Sequence, residues 1–156
     1  MSYPDYKLLH LLGLVLLLGN VTVTSVWKVF ADRTGNPVVV AFAQRLVTIT
    51  DWFLTLGGVL LLAGGGYGMA LTAGIPVLGA RWLSMSQLGF AISGAIWLGI
   101  LVPTQAAQTR AIRAFPADLT ELPAHYRRLS RRWITWGVIA TIPLLAAMRL
   151  MILRGG

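Results

Sequence analysis

Four long apolar stretches dominate this sequence, and each has about the length that a helix needs to cross a bilayer. They cover residues 6–30, 52–72, 82–102 and 133–153. A helix needs about 20 mostly apolar residues to span the hydrocarbon core. Only 12% of the residues in the whole chain are charged. A soluble protein of this size could not bury the apolar surface of these four stretches. We therefore predict an all-α fold, a four-transmembrane-helix bundle that forms a single domain over residues 1–156 in the lipid bilayer.

Short polar segments separate these spans. Turn residues fill positions 31–37, and Pro37 suits the first turn of a new helix. The next stretch, residues 38–50, predicts a short amphipathic helix before helix 2, with Gln44 and Arg45 on its polar side. This helix is expected either to lie at the membrane interface or to lead straight into span 2. Residues 105–115 predict a helical extension of span 3 beyond the membrane.

The distribution of basic residues predicts the orientation. The loops between spans 1 and 2 and between spans 3 and 4, with their flanks, carry nine: Lys28, Arg33, Arg45, Arg110, Arg113, Arg127, Arg128, Arg131 and Arg132. The opposite side carries four: Lys7, Arg81, Arg149 and Arg154. This bias places both longer loops in the cytoplasm of a bacterial inner membrane and both termini in the periplasm. The net charge of +8 therefore indicates topology and contact with anionic lipid, and no nucleic-acid partner is expected.

Composition limits the chemistry that the chain can perform. No cysteine is present, which excludes disulfides, iron–sulfur clusters and thiolate zinc. Five acidic residues and two histidines supply few parts for hydrolysis, and we find no catalytic triad, phosphate loop or zinc-binding spacing. The sequence does not identify a reaction, so enzymatic activity is left open.

One group of residues at the outer ends of the spans could bind a cofactor. The topology brings His10 to the same depth as four methionines, namely Met69, Met85, Met148 and Met151. Thioethers with imidazole suit Cu(I), and a His/Met pair suits haem iron. Lys7 lies one turn before His10 on the same face and could meet an acidic group such as a propionate. The competing interpretation is that the methionines are apolar filler and that Lys7 reaches the headgroups.

The glycines of span 2 predict helix packing, because small residues let membrane helices approach closely. We expect close packing along four of them: Gly57, Gly64, Gly65 and Gly68. Asn20, deep in span 1, is expected to form a hydrogen bond to a neighbouring helix. Asp51 is expected to pair with Lys28, Arg132 or a helix N-terminus, and His125 to be solvated or to cap a helix.

Several short motifs resemble an uncharacterised family of small bacterial membrane proteins, domain of unknown function 2269. The motifs are residues 6–13, 19–20, 27–28, 31–34, 51–52, 102–105 and 126–133. The first span is also similar to those of HemJ-type protoporphyrinogen oxidases and CopD-like copper-resistance proteins. The Lys-x-x-His signature of the HemJ-type enzymes falls on Lys7 and His10, but a second histidine in span 1 and a lysine in span 3 are missing.

Three functional hypotheses follow. The first is a redox-accessory membrane protein that holds haem, or copper, near the outer face through His10. The second is a non-enzymatic interaction or assembly subunit that packs against a membrane partner, or against a second copy as a homo-oligomer, through its glycine-rich helix 2. The third is a HemJ-like porphyrinogen oxidase. A visible absorption spectrum of the purified protein separates the second hypothesis from the other two.

Overall fold

The computed structural model describes residues 1–116 and 119–153, and the described chain is helical apart from its loops. Six α-helices and two short π-helical segments follow one another in this order: α1 Tyr3–Arg33, α2 Pro37–Thr50, the first π segment Asp51–Thr55, α3 Leu56–Thr72, α4 Arg81–Ile96, the second π segment Trp97–Leu101, α5 Val102–Arg113 and α6 Ala124–Leu153. Arg154, counted above among the basic residues, lies outside the described residues.

These helices form four candidate membrane spans. Span 1 is Tyr3–Arg33, span 2 is Pro37–Thr72, span 3 is Arg81–Arg113 and span 4 is Ala124–Leu153. Neighbouring spans run in opposite directions, so Tyr3 and Leu153 lie at the same end of the bundle, here called the terminal end. The other end carries the connection between spans 1 and 2, the connection between spans 3 and 4 and most of the arginines, and is called the arginine-rich end. The four-helix fold predicted from hydropathy is confirmed.

Local sequence signals set the helix boundaries. Ser2 and Asp5 form a capping box at the start of α1, in which Asp5 Oδ2 accepts the Ser2 backbone N–H at 2.7 Å. Asn36 caps α2 by accepting the Val38 N–H at 2.9 Å, and Pro37 occupies the first turn. Gly74 ends α3 at a φ of 64°, a conformation that glycine adopts at little cost.

Span 2 is one continuous helix, which decides between the two positions expected for the short amphipathic segment. α2 leads straight into α3 through the π segment. Gln44 was expected on the polar, outward side with Arg45, and this was wrong: Gln44 is buried, whereas Arg45 is exposed. The reason is that α2 packs against both α1 and α5, so the face that carries Gln44 is covered by protein.

At the terminal end the helices pack as two pairs, α1 with α3 and α4 with α6. Between α1 and α3 the backbones lie very close. A Cβ added at Gly58 would stand 2.8 Å from the Leu17 nitrogen, and one at Gly65 would stand 2.6 Å from the Tyr6 carbonyl oxygen. Gly68 lies against the Tyr6 ring. This packing resembles the small-residue contacts that let membrane helices associate.

Gly57 and Gly64 do not take part in the contact between α1 and α3. A Cβ at either position would meet nothing within 4 Å. Their helical spacing turns them away from Gly58 and Gly65, so packing within this chain does not explain them. For these two glycines the expected close packing does not occur within this chain, and packing against a partner or a second copy stays a prediction.

The second pair uses small and hydroxyl residues. Ser93 donates to the Ala140 carbonyl oxygen at 2.8 Å and Ser86 to the Ala147 carbonyl oxygen at 3.3 Å. Between them, a Cβ at Gly89 would approach the Pro143 carbonyl oxygen at 2.8 Å. The α4 helix therefore approaches the backbone of α6 closely at Pro143, where a residue larger than glycine would not fit.

All four spans meet toward the arginine-rich end, where both apolar clusters of the core lie. One cluster contains Val47, Leu101, Trp133 and Ala140. The other contains Val40, Leu122 and Tyr126. Buried polar side chains are concentrated in the same half of the bundle, and they form the candidate site described next.

Candidate functional site

A buried carboxylate joins three spans. Asp51, 7% exposed, accepts a hydrogen bond from Asn20 Nδ2 at 2.9 Å and from Thr55 Oγ1 at 3.1 Å on one oxygen. Its other oxygen accepts from Gln105 Nε2 at 2.9 Å. Asn20 Nδ2 also donates to Thr55 Oγ1 at 2.9 Å. We call these four residues the Asp51 network.

The first π segment holds Asp51 and Thr55 at its two ends. A π turn widens the helix by one residue, and such turns are frequent at functional sites. The second π segment lies at the same level on span 3, and the rings of Trp52 and Trp97 meet edge to face with centroids 6.4 Å apart. The two distortions therefore occur where spans 2 and 3 meet.

The Asp51 network lies inside the membrane region of the fold. Along α1, Asn20 follows the exposed Lys7 by about 13 residues, or about 20 Å at 1.5 Å per residue. The hydrocarbon core is about 30 Å thick. With Lys7 at the headgroups of the terminal end, the network lies about two-thirds of the way across the core toward the arginine-rich end.

Asp51 was expected to pair with Lys28, Arg132 or a helix N-terminus, and this was wrong within the described residues. Asp51 pairs with neither cation, and it lies where α2 continues into the π segment and not at the start of a separate helix. Lys28, one of the cations proposed, instead forms an ion pair with Asp32 at 3.0 Å. Asp51 forms no ion pair in the described part of the chain, and its partners are neutral amides and a hydroxyl. The sequence could not show this, because the partners come from positions 31 and 54 residues away.

A second buried cluster, the Lys28 network, lies closer to the arginine-rich end. Lys28 is 1% exposed and Tyr126 is 0% exposed. Lys28 Nζ donates to both oxygens of Asp32 at 3.0 Å and to the Tyr126 hydroxyl at 2.6 Å. The Tyr126 hydroxyl donates to Asp32 Oδ1 at 3.0 Å, and Ser130 also donates to Asp32. The cluster links α1 to the first two turns of α6.

The Lys28 network opens to the surface. A groove of about 410 Å³ is lined by Asp32, Tyr126 and Ser130 of the network and by arginines including Arg33 and Arg131. The Asp32 side chain is 16% exposed. The network therefore connects the interior of the bundle with the aqueous surface at the arginine-rich end.

The residues singled out near the terminal end are distributed over four helices, α1, α3, α4 and α6. The His10 ring packs against α3, where its Nδ1 is 2.7 Å from the Leu62 carbonyl oxygen. Met69 is on α3, the helix that the His10 ring contacts. Met85, 50% exposed, is on α4. Met148 and Met151 are on α6, which packs with α4. Lys7 is exposed at the surface of α1.

Within the described residues, no group of three histidine, cysteine or acidic side chains forms a metal-binding cluster. Methionine is not one of these side chains, so the expected site of His10 and methionines stays a prediction. His125, the second histidine, is exposed.

The chain matches a family model described as a predicted integral membrane protein, DUF2269, over residues 6–155. No curated protein and no solved structure matches the chain. The match covers nearly all of the sequence, including all four spans. The chain therefore belongs to the DUF2269 family of integral membrane proteins.

Proposed function

We propose that this multi-pass membrane protein binds and releases a proton at Asp51, and that this carboxylate is the centre of its activity. The observation that carries the proposal is a buried acid, held by side chains of three spans, without an ion-pair partner in the described residues. Ionisable groups inside membrane proteins are costly, and they mark proton and ion pathways.

The ligand chemistry favours a proton over a divalent metal. Ca²⁺ and Mg²⁺ require about six or more oxygen ligands, whereas the Asp51 network offers one carboxylate, toward which Asn20 and Gln105 turn their N–H groups. A proton needs a single carboxylate oxygen. In this step a hydronium ion transfers its proton to Asp51 and becomes water, and release reverses the transfer.

Protonation would rearrange the network. A protonated carboxyl donates one hydrogen bond, whereas the Asp51 carboxylate now accepts from Asn20, Thr55 and Gln105. The Thr55 hydroxyl can reverse and accept, whereas the Asn20 or Gln105 amide can accept only if it flips to present its carbonyl oxygen. The bond that joins Gln105 of span 3 to span 2 is thus sensitive to the charge of Asp51, which supplies a route from proton binding to helix movement.

Infrared difference spectroscopy on the protein in lipid vesicles tests this proposal. Wild-type protein should show the carbonyl stretch of a protonated carboxyl that appears on acidification. The band should vanish in Asp51→Asn and persist in Asp32→Asn, which removes the partly exposed acid of the Lys28 network. A band that survives in Asp51→Asn, or no band at any pH at which the protein is folded, would overturn the proposal.

A second candidate function is haem or copper binding at His10, and one observation favours it. Metal-binding histidines usually direct one ring nitrogen to a carbonyl or carboxylate and the other to the metal. The bond between His10 Nδ1 and the Leu62 carbonyl oxygen leaves Nε2 for iron or Cu(I). We propose that Met69, or the His10 of a second copy, would supply the second protein ligand to the iron or Cu(I). A HemJ-like oxidase activity rests on Lys7 and His10 alone.

Association with a membrane partner or a second copy is a third candidate. Gly57 and Gly64 leave a shallow, open strip on span 2, and small residues on a lipid-facing surface suit contact with another helix. Crosslinking within vesicles through a cysteine at position 64 would test for a second copy at this strip.

A further inference from the structure

A layer of buried polar side chains without hydrogen-bond partners separates the two networks. Within the described residues, both polar atoms of two glutamine amides and the N–H of two indoles have no partner. The four side chains come one from each span: Trp27, Gln44, Gln108 and Trp133. We call them the orphan layer.

The position of Gln44 on span 2 places the layer between the networks. Val40 and Val47, both 0% exposed, flank Gln44 on the same face. Val40 packs with Tyr126 of the Lys28 network. Val47 packs with Trp133 and lies one turn before Asp51. The buried face of α2 therefore runs from one network to the other through Gln44.

Span 3 shows the same order. Gln105 bonds to Asp51, and Gln108, 0% exposed, follows one turn later toward the arginine-rich end. Beyond it, Ala111 and Ile112 pack against the cluster of Val40 and Tyr126. Since α2 and α5 are in contact, the two glutamines line the same stretch of the interior.

Orphaned polar atoms in this number require a partner. Buried amide groups that lose water without gaining a hydrogen bond are strongly disfavoured, and nearly all buried side-chain polar atoms in proteins are paired. Water is the usual partner, and one buried water satisfies about three such groups.

We propose that the orphan layer is a hydrated passage, lined by Gln44 and Gln108, that gives Asp51 access to water from the arginine-rich end. The entrance is the groove beside Asp32 and Tyr126. At the terminal end the close contact between α1 and α3 leaves no comparable polar lining among the described residues. The claim that the passage carries protons rests on the proposed function of Asp51. The claim that the passage is hydrated does not rest on it.

Cysteine accessibility tests the passage, because the chain contains no cysteine of its own. A thiol reacts as the thiolate, which forms in water and not in an apolar core. In vesicles, Gln44→Cys and Gln108→Cys should react with silver ion or a small charged methanethiosulfonate about tenfold or more faster than Leu17→Cys. Leu17→Cys is the control, since Leu17 is buried in the close contact of α1 with α3, on the terminal side of the Asp51 network. Arg45→Cys is the exposed reference.

The outcomes distinguish the two proposals. If both glutamine variants are as unreactive as Leu17→Cys while eluting like the wild type, the passage is overturned, whatever Asp51 does. If they react and the infrared band of Asp51 is absent, the passage stands and the proton function fails. Should Gln44→Cys not fold, Gln108→Cys alone decides, because it lies on a different span.

Discussion

The Nε2 atom of Gln105 donates a 2.9 Å hydrogen bond to Oδ2 of Asp51, and this bond joins spans 2 and 3 beside their π segments. Asn20 binds the other carboxylate oxygen from span 1. One side chain therefore ties three of the four spans together. Its structural and chemical roles can be separated by variants that keep the shape of the carboxylate but change its charge or its capacity to accept hydrogen bonds.

The first prediction compares two substitutions at Asp51. Asp51→Leu leaves the amide donors of Asn20 and Gln105 unsatisfied, at about 1–3 kcal/mol each, so it should lower the free energy of unfolding by about 2–4 kcal/mol. Asp51→Asn keeps an acceptor oxygen and should cost about 1 kcal/mol. Unfolding in mixed detergent micelles, followed by circular dichroism, measures both. Equal losses for the two variants would show that the hydrogen bonds do not stabilise the bundle.

The second prediction concerns the buried lysine. Lys28→Met leaves Asp32 without its cation and should destabilise the protein by about 3 kcal/mol, as breaking a buried ion pair does. The double variant that carries Lys28→Met and Asp32→Asn should recover part of this lost stability, because it leaves no charge unpaired. Lys7→Met, at an exposed lysine on the same helix, is the control and should stay within about 0.5 kcal/mol of the wild type. A Lys28→Met protein as stable as this control would contradict the prediction.

Hydropathy and helix signals were sufficient to predict the fold. Each span is long and apolar enough that its length alone indicates a membrane helix, and Pro37 and Gly74 correctly mark a helix start and a helix end. Which face of a helix is buried was harder to predict. Gln44 and Arg45 are adjacent polar residues, and only the packing of α2 against α1 and α5 separates the buried one from the exposed one.

The candidate site was only partly accessible from the sequence. Asn20 and Asp51 stood out as polar residues within or beside apolar runs. Their bond to each other, and the bond from Gln105, depend on a π turn and on the pairing of distant spans, and neither has a periodic signature. Lys28 was counted as a topology signal among nine basic residues, whereas it lies buried on Asp32. A single sequence does not distinguish a solvated lysine from a buried one near a helix end.

The third prediction uses two adjacent glycines as a matched pair. Gly65→Leu should disrupt the bundle, because a side chain there would collide with the backbone of α1 at Tyr6 and His10. Gly64→Leu, one residue earlier, projects into open space and should leave the monomer intact. Size-exclusion chromatography in detergent with thermal unfolding measures the difference. A Gly65→Leu protein that behaves like Gly64→Leu would refute the close contact of α1 with α3.

The fourth prediction concerns orientation. The bias in basic residues predicts that the arginine-rich end faces the cytoplasm and that both termini are periplasmic. Reporter fusions at Gly156 and within residues 116–123 should therefore give opposite signals, with the C-terminal fusion active on the periplasmic side. A cytoplasmic C-terminus would reverse the side from which the proposed passage delivers protons, and would place His10 at the cytoplasmic face.

The fifth prediction tests cofactor binding at the terminal end. If His10 holds haem, purified protein should show a Soret band that His10→Ala abolishes, because the Nε2 ligand is lost while the fold retains the α1–α3 contact through glycine. His125→Ala should leave the band intact, since His125 is exposed at the opposite end. Copper predicts a different result: no Soret band, and bound Cu(I) that falls when Met69 is replaced by leucine. If wild-type protein carries neither group and tolerates His10→Ala, the His10 ring serves to join α1 to α3 through the Leu62 carbonyl oxygen. The Asp51 network would then be the remaining candidate for the chemistry of this membrane protein.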